Sequence, residues 1–228
     1  MQLLLIGYML GYIFNITSLP LVVLIVSLMC AIAAKTATDR TSRIGSFNYG
    51  LSYISLWLTT LFVGTFVVVL IIAPQPWYSP RIVIPIFGMV LGHCMNGVAL
   101  SLERFYAGVR SEIAQVEALL SFGATPWEAV RERVKDALRA GMTPTINSLM
   151  VVGLVNLPGM MTGQVLAGIE PLLAARYQIV IMLSLAAGAS ISCLLLLLMS
   201  YKKVFNEDSA VIPAVFKISP AIKKVAGK

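Results

Sequence analysis

Charge is scarce in this sequence. Its 17 Lys and Arg and 10 Asp and Glu make up 12% of the chain, whereas 58% of the residues are hydrophobic. Soluble domains carry about 25% charged and about 45–50% apolar residues. A soluble domain is therefore excluded, and we expect a protein that lies in a lipid bilayer.

Groups that carry chemistry are also few. There is one histidine, and the three cysteines lie far apart within apolar segments, so we predict that Cys30, Cys94 and Cys193 are small buried side chains. Glycine precedes lysine only at Gly227-Lys228, which excludes a phosphate-binding loop. We therefore expect no enzyme and no cofactor in this chain. If such a chain transports a solute, the energy would come from an ion gradient or from ATP bound by a partner subunit.

The hydrophobic residues form long blocks. They show no alternation of apolar and polar positions, which favours helices over an outer-membrane barrel. A helix needs about 20 residues to cross a bilayer. We predict an all-α membrane bundle of about six segments, of which the first two are short. The predicted segments are Leu3–Phe14, Leu19–Ala34, Ile44–Ala73, Ile82–Leu102, Thr145–Gly168 and Gln178–Tyr201.

The basic residues predict the orientation. If the longest polar stretch, residues 103–140, is cytoplasmic, fifteen of the 17 Lys and Arg lie on that side, and only Arg81 and Arg176 lie outside. We therefore expect one membrane domain, residues 1–205, in the inner (plasma) membrane, and a basic cytoplasmic tail, residues 206–228. The net charge of +7 then indicates contact with membrane lipid rather than with nucleic acid.

The stretch 103–140, called the polar element below, predicts two helices and a turn. Apolar residues spaced by three and four place one stripe on a first helix and another on a second. The first stripe is Phe105, Val109, Ile113, Val116 and Leu120, and the second is Trp127, Val130, Val134 and Leu138. Gly123 predicts a helix stop. Thr125, Pro126 and Glu128 predict a start, with a hydroxyl cap, a proline at the first position and an acid at the third.

The residues of this turn resemble a known element. The run Glu117-Ala118-Leu119-Leu120-Ser121-Phe122-Gly123-Ala124-Thr125-Pro126 is similar to the coupling loop of ABC transporter permeases, which docks into a groove of a separate ATPase subunit. The resemblance implies that the glutamate pairs with a basic group of the ATPase. The docking residues that it implies are Glu117, Ala118, Gly123, Ala124, Thr125 and Pro126. The Ile-x-Leu-Pro ending of that family is not matched at its spacing, because Pro144 comes too late.

A second resemblance covers nearly the whole chain. It is carried by Val152-Gly153-Leu154-Val155-Asn156-Leu157-Pro158-Gly159-Met160-Met161-Thr162-Gly163-Gln164, by Leu166-Ala167-Gly168-Ile169-Glu170-Pro171 and by Tyr177-Gln178-Ile179. These residues resemble the FetB family of iron-export ABC permeases, which includes plant and bacterial relatives linked to aluminium tolerance. Members usually carry another hydrophobic helix before the stretch that begins here at Gln2-Leu3, so we expect a first helix to be missing.

The fifth segment contains candidate metal ligands. Pro158 and Gly159 predict a helix break, and a broken helix exposes backbone carbonyls that a cation can contact. Met160 and Met161 offer soft thioether sulfurs beside it, and Glu170 offers a carboxylate on the predicted outer side. The alternative is that the methionines only pack, and that Glu170 caps a helix or pairs with Arg176.

His93 in the fourth segment is another candidate ligand. Neighbouring residues of a helix point about 100° apart, so His93 shares a face only with Asn96 among its polar neighbours. The alternative is a hydrogen bond between helices. Gly88, Gly92 and Gly97 predict close helix packing in the same region.

These observations favour a permease subunit of an ABC transporter. It would act as a homodimer with separate ATPase subunits and export iron or a related metal cation. Two alternatives stay open. One is an ABC permease for another cargo, either an aluminium-related species or a nucleotide sugar. The other is a membrane assembly or sensor protein that binds a partner other than an ATPase.

Overall fold

The computed structural model describes residues 2–14, 18–39, 48–206 and 210–212. The all-α prediction is confirmed, since these residues form helices and no strand. Most of the predicted tail, residues 206–228, lies outside the described residues, as do Arg40 and Arg43. The α-helices are α1 (Gln2–Ile13), α2 (Leu19–Asp39), α3 (Asn48–Phe66), α4 (Pro80–Ser111), α5 (Ile113–Ser121), α6 (Pro126–Val151), α7 (Gly159–Leu166) and α8 (Pro171–Ser200).

Among the described residues, four helices are long and apolar enough to cross a membrane. Two of them include a continuation of another helical type, since a π-helix extends α3 and a 3-10 turn follows α8. The spans are Leu19–Asp39, Tyr49–Ile72, Pro80–Ser111 and Pro171–Lys203. The count of six stays a prediction, because α1 has 12 residues and the predicted fifth segment is divided between α6 and α7.

Helix α2 is longer than its apolar run. The sequence predicts an end at Ala34, whereas the helix continues to Asp39. The hydroxyl of Thr36 donates to the carbonyl of Ile32 at 2.8 Å, and the hydroxyl of Thr38 donates to that of Ala34 at 2.9 Å. These bonds satisfy the threonine hydroxyls within the helix, and Ala37 beyond the predicted end is fully buried, so packing extends to this last turn.

Helices α4, α6 and α8 approach one another closely at small residues. A Cβ on Gly97 of α4 would lie 2.9 Å from Cys193 Sγ of α8 and 3.1 Å from the carbonyl oxygen of Gly141 on α6. Gly97 thus packs as predicted. Gly92 does not, because a Cβ there would have no neighbour within 4 Å. As predicted, all three cysteines are buried, and each is a free thiol.

The helix directions place the polar element at one end of the bundle. Helix α4 begins next to Arg81 and ends beyond Arg104, while α8 begins before Arg176 and is followed by Lys202. At the start of α6, the Trp127 ring lies 5.2 Å from the Tyr201 ring, centroid to centroid. The polar element and the end of α8 therefore share one end of the bundle, and Arg81 and Arg176 lie towards the other.

Candidate functional site

The polar element begins on a helix that is longer than a bilayer. Helix α4 has 32 residues, which is about 48 Å at the usual rise per residue, against about 30 Å of hydrocarbon. Its last turns carry Glu103, Arg104 and Arg110 and have a buried apolar face at Phe105 and Val109. A single rigid helix thus connects the membrane bundle with the polar element.

The first predicted helix of the polar element is in fact two helices. The stripe from Phe105 to Leu120 crosses a bend at Glu112, whose φ of −123° and ψ of 31° end α4. The carbonyl of Glu112 accepts hydrogen bonds from the amides of Gln115 and Val116, which begin α5. The bend coincides with an ion pair between the Glu112 carboxylate and Arg133 of α6. The spacing of apolar residues in the sequence cannot reveal a contact between charged residues on two different helices.

The turn between α5 and α6 has well-defined local bonds. Gly123 has a φ of 87°, in the left-handed region that favours glycine, and follows α5 as the predicted helix stop. The Thr125 hydroxyl accepts from the amide of Glu128 at 3.4 Å, and the Glu128 carboxylate accepts from the amide of Thr125 at 2.8 Å. This confirms the predicted cap. The amide and then the hydroxyl of Thr125 lower the pKa of Glu128.

The residues that resemble a docking loop lie together on this turn. Four of them are exposed and two are half-buried: Glu117, Ala118, Gly123 and Thr125 are exposed, and Ala124 and Pro126 are half-buried. Phe122, which the sequence analysis did not select, is 89% exposed at the tip. A large aromatic residue directly before the turn glycine was the signal that could have revealed it.

Helix α6 is anchored in the bundle behind the turn. Its predicted stripe is buried at Val130 and Val134 and half-buried at Leu138, and Trp127 contacts Tyr201. Its outer face carries ion pairs within one helix, such as Lys135 with Glu132 at 2.7 Å. The hydrogen bond from Lys135 lowers the pKa of Glu132. The exposed turn is therefore joined directly to a helix that packs firmly against the bundle.

The helix break near Pro158 extends further than its sequence suggests. Helix α6 ends at Val151, and α7 begins at Gly159, so residues 152–158 separate them. Gly153 has a φ of 82°, and its amide donates to the carbonyl of Asn156 at 2.9 Å. Pro158 directly precedes α7. Backbone in an irregular conformation is thus concentrated within an apolar segment.

The candidate ligands beside this break are differently placed. Met160 and Met161 on α7 are half-buried, and Met160 packs against the hydrophobic core. Glu170 is exposed and directly precedes α8, without a side-chain hydrogen bond to that helix. The ion pairs of the described residues do not join it to Arg176.

Gln178 is a further polar group that the sequence analysis passed over. It lies on α8, which packs against α7, and it is only 6% exposed. Its amide oxygen has no hydrogen-bond partner among the described residues, and neither has that of Gln164 on α7. An unpaired amide is costly in an apolar setting, so these oxygens are available to a ligand or to water.

His93 stays a prediction. It is half-buried in the middle of α4. In the part of the chain that the structure describes, no three His, Cys, Asp or Glu side chains come together in a way that could hold a metal ion. Methionine sulfurs and amide oxygens do not belong to that set, so the α7 residues also stay predictions.

Comparison with known proteins decides the family. The model of the uncharacterised protein family UPF0014 matches residues 1–205. The chain belongs to this family. It is 36% identical over 217 residues to the "Probable iron export permease protein FetB" of Escherichia coli (strain K12), covering 95% of this chain and 82% of that protein. The predicted resemblance to the FetB family is confirmed.

Other members of the family come from distant organisms. A UPF0014 membrane protein of Synechocystis sp. is 37% identical over 212 residues, which is 93% of this chain and 82% of that protein. The "Protein ALUMINUM SENSITIVE 3" of Arabidopsis thaliana is 34% identical over 194 residues, or 84% of this chain and 69% of that protein. No solved structure matches the chain. Together with its four apolar spans, the family makes this a multi-pass membrane protein.

Proposed function

We propose that this chain is the membrane-spanning permease subunit of an ABC transporter and docks to a separate ATPase subunit through residues 117–126. The observation that carries the proposal is the turn itself. It has an exposed aromatic tip, a left-handed glycine and a capped following helix, and α5 joins it to α4, one of the four apolar spans. Its residues also resemble the coupling loop of ABC permeases. This chain itself would catalyse no reaction.

Phe122 extends the set of docking residues. The Phe122 side chain is 89% exposed at the tip of a polar turn, so nearly all of it is free to contact a partner. Such residues commonly serve as anchors that fill a pocket of a partner. Glu117, exposed on the same short helix, would pair with a basic group beside that pocket.

The rest of the proposal concerns assembly and orientation. Two copies would pair through their membrane helices, and two ATPase subunits would bind their turns. Closure of the ATPases on nucleotide would move the turns and, through α4 and α6, the bundle. The excess of basic residues at the end that bears the polar element favours a cytoplasmic location for that end, in the inner membrane.

The cargo is proposed to be iron or a related metal cation. The name of the Escherichia coli relative supports iron, and that of the Arabidopsis relative supports an aluminium-related species as the second candidate. Half-buried methionine sulfurs and the unpaired amide oxygen of Gln178 lie on the two packed helices beside the break. Thioether and amide groups are metal ligands of different softness, which suits a site that a cation passes through.

Co-purification tests the docking. The full-length chain should purify with a protein that carries Walker motifs, and nucleotide turnover by that protein should depend on this chain. Gly123→Pro and Glu117→Lys should uncouple hydrolysis from transport while the protein still inserts. Glu103→Lys changes an exposed glutamate elsewhere in the polar element and should behave like the parent. Capture of a partner without Walker motifs, with no turnover, would favour the assembly or sensor alternative.

A conservative double change tests the cargo. Replacing Met160 and Met161 by leucine retains apolar volume and usually costs less than about 1.5 kcal/mol, but it removes both sulfurs. Metal-stimulated ATPase activity should fall while basal activity persists. Glu170→Gln removes the nearby charge with little change in shape. If both variants export metal like the parent, these residues only pack.

A further inference from the structure

Arg133 bridges the two arms of the polar element. It lies on α6, and its guanidinium contacts the carboxylate of Glu112, the residue at which α4 ends and α5 begins. The aliphatic part of Arg133 runs beside Gly108 of α4, because a Cβ on Gly108 would lie 3.4 Å from Arg133 Cδ. One side chain therefore contacts α4 and the bend from its place on α6.

An acidic residue on the same helix, Asp136, also lies close to the guanidinium group of Arg133. Asp136 Oδ2 lies 3.9 Å from Arg133 Nη1, and Asp136 Oδ1 lies 3.5 Å from Arg139 Nη1. The Arg133 side chain is 23% exposed, at a cleft of about 300 Å³ that Ser111 and Arg104 also line. A pair that is shielded in this way is screened by salt less than a pair on an open surface.

Helix α5 has little else to fix its direction. All nine of its residues are described, and Val116 is the only one of them that is buried. A helix this short is not stable in isolation and depends on its contacts. At its other end, Phe122 and Gly123 are exposed. The angle between α5 and α4 therefore depends on Val116, on the half-buried Ile113 and Leu120, which pack against the core, and on the ion pair at the bend.

We infer that Arg133 is a positioning residue, which through Glu112 fixes the angle between α4 and α5 and so the direction in which the turn faces the ATPase. With this angle fixed, a movement of the turn is transmitted to α4, whereas a flexible bend would absorb it. The effect of this angle on transport rests on the proposed function. The angle itself is a property of this chain alone, and it is measurable without any partner.

Distances between spin labels measure that angle. The full-length protein in lipid nanodiscs is labelled at Glu103→Cys on α4 and Phe122→Cys at the turn. The parent should give one narrow distance distribution. Arg133→Glu and Glu112→Arg should each lose it. The charge-swapped double variant should regain it in an Asp136→Asn background, where the carboxylate introduced at position 133 does not face Asp136. Arg139→Glu is the matched control, because Arg139 is 82% exposed and pairs only with Asp136 among the described residues.

Either of two results would overturn the inference. One is a parental distribution in both single variants, and the other is a swapped variant as broad as the singles. If the charge variants fail to fold, Gly108→Leu serves instead, because it displaces the aliphatic part of Arg133 and leaves every charge in place. This variant should also lose the narrow distance distribution. If it keeps that distribution, the inference is wrong.

The partner assay separates this inference from the proposed function. With the ATPase subunit present, the single variants should lower stimulation of hydrolysis by about two- to fivefold, the range for an ion pair near the protein surface, and the swap should restore it. If distances respond as expected but no ATPase binds the chain, the proposed function fails and the positioning role of Arg133 stands.

Discussion

At the scale of single residues, Thr125 determines where α6 begins. Its hydroxyl and amide are both bonded to Glu128, so two groups at the helix terminus are satisfied by one pair of residues. Thr125→Ala removes the cap at a cost of about 1 kcal/mol, which corresponds to about fivefold faster hydrogen exchange in the first turn of α6. Thr143→Ala is the control, since the Thr143 hydroxyl only bonds back to Arg139 within the helix. Equal exchange in both variants would contradict the cap.

The same cap should depend on pH. Bonds from Thr125 lower the pKa of Glu128 in the folded protein, so the ionised form is the one that stabilises the helix. Its contribution is complete above the ordinary glutamate pKa of about 4.3 and is lost as the pH falls through the lowered value. Hydrogen exchange, corrected for its intrinsic pH dependence, should therefore accelerate at the start of α6 in acid. Glu128→Gln should remove this acceleration.

Phe122 is predicted to dominate the affinity for the ATPase. Truncating a buried aromatic anchor at an interface costs about 2 kcal/mol or more, which is about thirtyfold in Kd. Phe122→Ser should weaken binding by this factor in a titration with the purified partner. Leu119→Ser changes a less exposed apolar residue of α5, the helix that precedes the turn, and should weaken binding less. Binding of the Phe122 variant at parental affinity would place the anchor elsewhere.

At the scale of elements, the close approach of α4 to α6 and α8 makes two glycines of one helix unequal. Gly97→Ala would press a Cβ against Cys193 and Gly141, and overpacking of this kind costs about 1–3 kcal/mol. Gly92→Ala places the same atom in open space and should be neutral or slightly stabilising. Thermal unfolding in detergent compares the two variants. Equal melting temperatures would contradict the helix packing described above.

Local chemistry explains which elements the sequence predicts well. The start of α6 follows from a hydroxyl, a proline and an acid within four positions, and the apolar blocks follow from composition. The bend at Glu112 coincides with an ion pair to Arg133 on another helix, which the sequence does not show, so the stripe from Phe105 to Leu120 predicts one helix. Phe122 lies off that stripe, two residues after Leu120, so the apolar spacing does not mark it either as core or as a contact residue.

The break before α7 shows the same limit. Pro158 and Gly159 mark it in the sequence, and α7 indeed begins there. The earlier end of α6 depends on Gly153, whose left-handed conformation and bond to Asn156 form a turn of their own. In the sequence, Gln178 is only one polar residue within a long apolar helix. Only the packing of α7 on α8 reveals its unpaired oxygen.

At the scale of the whole molecule, the orientation of the bundle is open to direct labelling. Single cysteines near Thr125 and near Lys203 should react with an impermeant reagent added to the cytoplasmic side, because both positions lie at the end with the basic excess. A cysteine near Ser79, at the start of α4, should react only from outside. Labelling of positions 79 and 125 from the same side would contradict the proposed topology.

The most direct measurement is ATP hydrolysis in vesicles that contain this chain and its ATPase subunit, with and without a metal cation such as iron(II). The account predicts hydrolysis that depends on this chain and rises with the metal. It also predicts that Gly123→Pro abolishes the metal response while leaving the protein in the membrane. Hydrolysis that is the same without this chain, or a full metal response in the Gly123→Pro variant, would contradict the account.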